Sequence, residues 1–144
     1  GYRGAQESFS APDSSLLSKV ISTRRGIPIS LCLIFLLVGR RLGLPLQPVG
    51  LPGRFMVGVF RGREPLYIDC YEGGAFRTRA DVQLMLLDNH LPADEAFLGP
   101  VSAEQTLARC CRNLVSQCEA QGDDRASRLY LGFVHALEQL DERA

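Results

Sequence analysis

Apolar side chains fall along this chain first at helical intervals, then in short continuous runs, then at helical intervals again. Leu16, Leu17, Val20 and Ile21 share one face of a predicted helix over residues 15–25, with Asp13 or Ser14 placed to accept from the orphan N–H groups at its start. Gly26 interrupts that pattern. Pro28 suits the first turn of a second helix, where its missing N–H loses no bond. This second helix, over 28–42, is apolar on nearly every side and stops at Gly43 and Pro45. A helix without a polar face belongs in the middle of a fold. Runs rich in β-formers follow at 47–51, 55–60 and 66–69, split by Pro52-Gly53 and Arg61-Gly62-Arg63. The second and third predict a hairpin, and after the Gly73-Gly74 turn residues 75–78 predict a short edge strand.

A further helix over 79–89 should turn Val82, Leu86 and either Met85 or Leu87 to the core, and 91–100 reads as a linker from its Pro, Gly and acidic content. Ser102 with Gln105 three residues on makes a capping box for a long helix. Leu107, Cys111, Leu114 and Cys118 recur at helical spacing, as do Leu129, Phe133, Leu137 and Leu140 after the Gly122-Asp123 turn, which predicts an αα-hairpin. The hairpin looks like one tetratricopeptide unit. No second copy follows at the repeat period, so it is expected to pack on its own domain, because a solenoid groove needs several stacked units. The fold class is therefore α+β: a buried helix on three or four antiparallel strands over 1–98, then a helical hairpin over 99–144.

The chain has 144 residues, 46% of them hydrophobic, enough for one sizeable core. Sixteen basic and sixteen acidic side chains cancel, which argues against nucleic acid or an anionic membrane as partner. Arg24-Arg25, Arg40-Arg41 and Arg61 lack both a net positive field and interleaved exposed aromatics. The apolar run from Ile27 to Val38 is too short to span a bilayer, and the first residues show no leader pattern. Five cysteines, Cys32, Cys70, Cys110, Cys111 and Cys118, form an odd set with no CxxC pair and no His at zinc-ligand spacing. A reduced, cytoplasmic protein without metal or cofactor is expected, since no phosphate-cradling loop or ligand cluster is present either.

Four ordered blocks carry a family resemblance. Ser14-Ser15-Leu16-Leu17 with Arg24-Arg25-Gly26-Ile27-Pro28-Ile29-Ser30-Leu31, then Arg40-Arg41-Leu42-Gly43-Leu44-Pro45, then Val49-Gly50-Leu51-Pro52-Gly53, then Tyr67-Ile68-Asp69 with Gly73-Gly74, resemble the SirB-type transglutaminase-like family of bacterial regulatory proteins. The likeness covers about residues 8–89, and the hairpin after it is similar to that family's tetratricopeptide-like tail. The resemblance implies a papain-like core with a Cys at the start of the central helix, a His on the next strand and an Asp on the strand after. In such a triad the helix N-terminus lowers the thiol pKa, the imidazole takes the proton and the carboxylate orients it, giving acyl transfer or peptide hydrolysis.

Carried over position by position, the triad is degenerate. The nucleophile position falls near Pro28, where the closest hydroxyl is Ser30, and Ser in a first helical turn is expected to serve as a cap or a packed small side chain. The His position is Arg54, whose guanidinium stays protonated and cannot act as a general base. Asp69 remains, so an Arg54–Asp69 ion pair is expected where a His–carboxylate bond would stand. His90 and His135 lie far along the chain from that cleft. Cys32, in the second turn of the central helix, reads as a buried filler, and alternation turns Cys70 away from the face Asp69 uses. A reactive role for either thiol would need a lowered pKa and access. The expected cleft is lined by Ser30, Arg54, Asp69, Tyr67 and Tyr71, a polar and aromatic mixture suited to a protein partner. Two functions follow: a non-catalytic protein-interaction or regulatory module, or a hydrolase or acyltransferase using Ser30, Cys32 or Cys70 with another base.

Overall fold

The computed structural model describes residues 1–5 and 10–144. The first residues of the family likeness, and part of the segment searched for a leader, lie outside the described residues.

Two helices open the fold, α1 over Leu17–Thr23 and α2 over Pro28–Arg41. α1 is shorter than its apolar spacing predicts. Pro12–Ser14 forms a 3-10 turn, Leu16 holds the N-cap position without a side-chain bond, and Arg24 leaves the helix at φ 58. Ser14 therefore does not cap α1; its hydroxyl donates to Ala11 O at 2.7 Å. Arg25–Gly26 (β2) instead pairs in parallel with Arg3–Gly4 (β1), a ladder too short to show any alternation.

α2 begins at Pro28 as expected, and Pro28 to Cys32 are buried. Its second half differs from the expectation of a fully central helix. Phe35, Leu37 and Val38 are 40–51% exposed. The sheet packs on one side of α2 and α1 on its first turns, and no element among the described residues closes over the remaining side.

The sheet has four antiparallel strands in the order β3 (Leu46–Leu51), β4 (Arg54–Val59), β5 (Leu66–Asp69) and β6 (Ala75–Arg77). Pro52-Gly53 closes the β3–β4 hairpin with Leu51 opposite Arg54, and Gly53 sits at φ 66, a conformation that costs a side-chain-free residue little. Pro48 is tolerated because β3 is an edge strand. Its carbonyl accepts from Val101 N–H at 2.9 Å.

Both faces of the sheet are covered, which is why β4 reads as a continuous apolar run rather than an alternating one. Phe55 and Val57 point to a core with Ile29, Leu31, Cys32, Ile68 and Cys70 beside α2. Met56 points the other way, to a core with Val49, Leu51, Tyr67, Val82, Leu86 and Leu98. The second core is built by α3 (Arg79–Asp88), which a reciprocal Thr78–Asp81 box caps. Met85, not Leu87, completes its inner face. Residues 91–100 are no loose linker: they hold a 3-10 turn at Glu95–Phe97, and Leu98 is buried with its carbonyl accepting from Tyr67 Oη at 2.8 Å.

α4 (Ala103–Ala120) and α5 (Asp124–Arg143) form the hairpin, α4 starting at the Ser102–Gln105 box and α5 capped by Asp123. α4 buries Ala108, Leu114 and Cys118 and leaves Leu107 outside. In α5 only Leu137 of the predicted stripe is half-buried: Leu129, Phe133 and Leu140 are 50–58% exposed, while Ser127 and Val134 are buried. α5 carries two stripes at helical spacing, and a sequence period does not say which one meets the partner helix. Ser15 Oγ donates to Gln117 Oε1 at 2.6 Å, tying α4 to the N-terminal turns.

Candidate functional site

Arg54 opens β4 and Asp69 closes β5, so the antiparallel pairing of these strands brings both side chains to one end of the sheet. Arg54 Nη2 lies 2.9 Å from Asp69 Oδ2 and 3.3 Å from Glu72 Oε1. The ion pair expected from the sequence is formed. The Asp69 side chain is 1% exposed and that of Arg54 24%. The second carboxylate oxygen of Asp69 accepts from Glu72 N–H at 3.3 Å. The guanidinium also stacks 5.0 Å from the centre of the Tyr71 ring. Behind Tyr71 lies β1, with Gly4 so close that a Cβ there would stand 2.5 Å from the ring. Burial works to lower the Arg54 pKa, but the hydrogen bonds and charges of Asp69 and then Glu72 outweigh it and raise it.

A second guanidinium braces the rim from outside. Arg109 of α4 donates to Leu51 O at 2.6 Å and to Arg54 O at 3.2 Å, across the Pro52-Gly53 turn, and covers the Phe55 ring at 5.6 Å. Burial lowers its pKa.

The ion pair sits in the wall of an open groove of about 440 Å³. One side is the Pro52-Gly53 turn with Arg54, Asp69 and Glu72; the other is β6 and α3, through Arg77, Asp81, Leu84 and Asp88. Met85 and Leu91 add apolar surface to the lining. The α3 wall was not legible as part of a cleft. Its signal was Asp81, Leu84 and Asp88 at intervals of three and four, a second face on a helix already assigned to the core.

The other sequence candidates fall elsewhere. Ser30 is buried, its hydroxyl set against Ser14 O at 2.8 Å and Ile27 O at 3.0 Å, and it does not line the groove. Tyr67 is wholly buried in the second core, where burial raises its pKa. Tyr71 backs Arg54 without lining the groove. Cys32 Sγ donates to Phe55 O at 3.4 Å and shares its core with Cys70; the interaction with the Cys70 thiol and burial push its pKa well up. Cys70 lies in the α2 core while Asp69 lines the groove, as alternation predicts. Burial raises Cys110 to about 12 and also raises Cys111 and Cys118. His90, at φ 56 just after α3, and His135, on the exposed side of α5, make no hydrogen bond to Ser30, Asp69 or a cysteine among the described residues. No group of three metal-ligating side chains occurs among the described residues, and no helix among them is long and apolar enough to cross a membrane.

A short antiparallel sheet between α2 and α3, with an aspartate at the end of its third strand, is a mixed helix-and-sheet domain built around a strand-end carboxylate. Residues 1–112 match the model of the transglutaminase-like superfamily, and the chain belongs to that superfamily. Among curated proteins, a UPF0162 protein of Xylella fastidiosa is 36% identical over 138 residues, covering 89% of this chain and 48% of that protein. A UPF0162 protein of Pseudomonas aeruginosa is 35% identical over 119 residues, covering 81% of this chain and 43% of the relative. The F-box only protein 21 of Mus musculus is 33% identical over 121 residues, covering 78% of this chain and 19% of that protein. The chain thus spans about half or less of the length of these relatives. No solved structure matches it significantly.

Proposed function

We propose that this chain is a SirB-type transglutaminase-like module with a papain-like core over residues 1–98 and a tetratricopeptide-like hairpin over 99–144. In this reading it acts in the reducing cytoplasm as a protein-interaction or regulatory scaffold, without acyl-transfer chemistry of its own. One observation carries the reading: the guanidinium of Arg54 is paired to Asp69, the carboxylate that would have to orient an imidazole. A permanently protonated group there accepts no proton. The neighbouring chemistry supports the same conclusion. Ser30 is held against two backbone carbonyls with no hydrogen bond to a base among the described residues, and the Cys32 thiol is pushed toward its protonated, unreactive form. The likeness to stretches of much longer UPF0162 and F-box proteins suits a module used inside larger chains.

Two measurements test this. Peptide-ester and peptide-amide substrates should show no turnover above background, and the alkylation rate with iodoacetamide should reveal no thiolate titrating below the ordinary value of about 8.5. At pH 8 Cys110 should react on the order of a thousandfold more slowly than an unperturbed thiol. A thiol alkylating fast near neutral pH, or steady turnover, would replace the scaffold by a hydrolase with a displaced site. For the binding half, protein captured from a lysate should fall severalfold with Arg54→Glu, which sets three carboxylates together and opens the groove wall. Unchanged capture by a folded Arg54→Glu protein would remove the groove from the function.

A further inference from the structure

The groove beside Arg54 has a charge balance of its own. Its lining holds two guanidiniums, Arg54 and Arg77, against four carboxylates, Asp69, Glu72, Asp81 and Asp88. Arg54 is already shared between Asp69 and Glu72. Asp81 is spent on the Thr78 cap, where one of its oxygens accepts from the backbone N–H and from the hydroxyl, both at 2.8 Å. The Asp88 carboxylate has no hydrogen bond or ion pair among the described residues, and Asp88 is the last residue of α3. A carboxylate there adds to the negative end of the helix dipole, where a cation is favoured, and the last turn of α3 contains no basic residue. The carbonyl end of α3, Asp88 and the second oxygen of Glu72 therefore leave the groove with more negative than positive charge. Next to them the lining is apolar: Leu84 is 58% exposed, with Met85, Leu91 and Pro52 beside it.

We propose that the groove binds a peptide segment of a protein partner that presents an Arg or Lys side chain to Asp88 and Glu72, with an adjacent apolar side chain laid on Leu84 and Met85. The inference rests on the scaffold reading and names the chemistry of the partner that reading requires. A volume of about 440 Å³ is within the range of small-ligand clefts and admits a few side chains, not a folded domain. The open form of the groove suits an extended segment. An anionic segment is disfavoured because the four carboxylates of the lining outnumber its two guanidiniums, and Arg54 is already shared between Asp69 and Glu72, which leaves Arg77, without an ion pair among the described residues, as the one cation open to it.

The test uses two blocked tripeptides as probes, acetyl-Leu-Arg-Leu-amide and acetyl-Leu-Glu-Leu-amide, titrated into the isotope-labelled 144-residue chain and followed by amide chemical shifts. The Arg peptide should bind in the millimolar range, move the amides of Glu72, Leu84, Asp88 and Asn89, and weaken as NaCl is raised. The Glu peptide should bind at least tenfold more weakly. Asp88→Lys, at an exposed position that leaves the core untouched, should weaken the Arg peptide about tenfold and bring the Glu peptide level with it or above it. Equal binding of both peptides to the unaltered groove, or shifts clustered away from α3, would overturn the proposal. If neither peptide binds while partner capture still depends on Arg54, the scaffold reading stands and the basic-ligand inference falls. If capture is also independent of Arg54, both fall.

Discussion

Replacing Arg54 by alanine is expected to lower the unfolding free energy by about 2 kcal/mol, between the values typical of exposed and fully buried ion pairs. Asp69 is the reason for the size of the effect. Its side chain is 1% exposed, and without Arg54 it keeps, among the described residues, a single, longer bond from Glu72 N–H. A charge left unpaired in that position costs more than the pair itself contributes. Arg54 is 24% exposed, so solvent screens part of the loss, which keeps the figure below that of a fully buried pair. For a chain of this length the melting temperature should fall by roughly 4–8 °C. Arg54→Lys should recover part of the loss, since it keeps the charge but gives up the guanidinium's contact over the Tyr71 ring. Glu72→Ala should change stability by under about 1 kcal/mol, because that carboxylate stands in solvent. Urea unfolding of the single and double variants separates the two partners: the Arg54–Asp69 coupling should exceed the Arg54–Glu72 coupling. Equal couplings would mean that Asp69 is held by its backbone neighbours rather than by Arg54.

That pair was legible in the chain because it depends on local rules. Pro52-Gly53 sets the turn before β4, the Gly-containing loop at 61–63 sets the pairing of β4 with β5, and strand alternation then sends Asp69 and Cys70 to different surroundings. The Ser102 box was legible for the same reason, since both of its partners lie within one turn. What the sequence did not reveal depends on long-range packing. α2 looked central because apolar residues surround it, yet Phe35, Leu37 and Val38 meet no second layer among the described residues. Of the α5 stripe only Leu137 turns partly inward, because Leu129, Phe133 and Leu140 belong to one helical row and Ser127, Val134 and Leu137 to another. Ser30 and Tyr67 were drawn to the cleft by proximity in sequence to the triad positions, whereas burial puts one under the 3-10 turn and the other in the second core. The α3 wall of the groove appears only once Val82 and Leu86 have fixed which side of that helix faces inward.

Tyr67 supplies the larger of the stability effects, and it reports on how the groove is held. Tyr67→Ala should cost about 4 kcal/mol, the usual range for removing a large aromatic side chain from a packed core. That is a large part of the 5–15 kcal/mol typical of a domain. The ring is wholly buried, meets Phe60 edge-on at 6.1 Å between centroids, and packs with Val82 and Leu86 behind the α3 wall. Tyr67→Phe keeps the ring and loses only the bond to Leu98 O, so it should cost about 1 kcal/mol. The two variants differ in kind as well as in size. Losing the hydroxyl removes the one side-chain hydrogen bond among the described residues between β5 and the 91–100 strap, so in Tyr67→Phe hydrogen exchange should quicken along the strap and the last turn of α3, leaving β3–β5 protected. Tyr67→Ala should raise exchange through the sheet as well. Should Tyr67→Phe raise exchange uniformly, the strap and the sheet would be one cooperative unit, and the α3 wall could not move to admit a ligand without unfolding the domain.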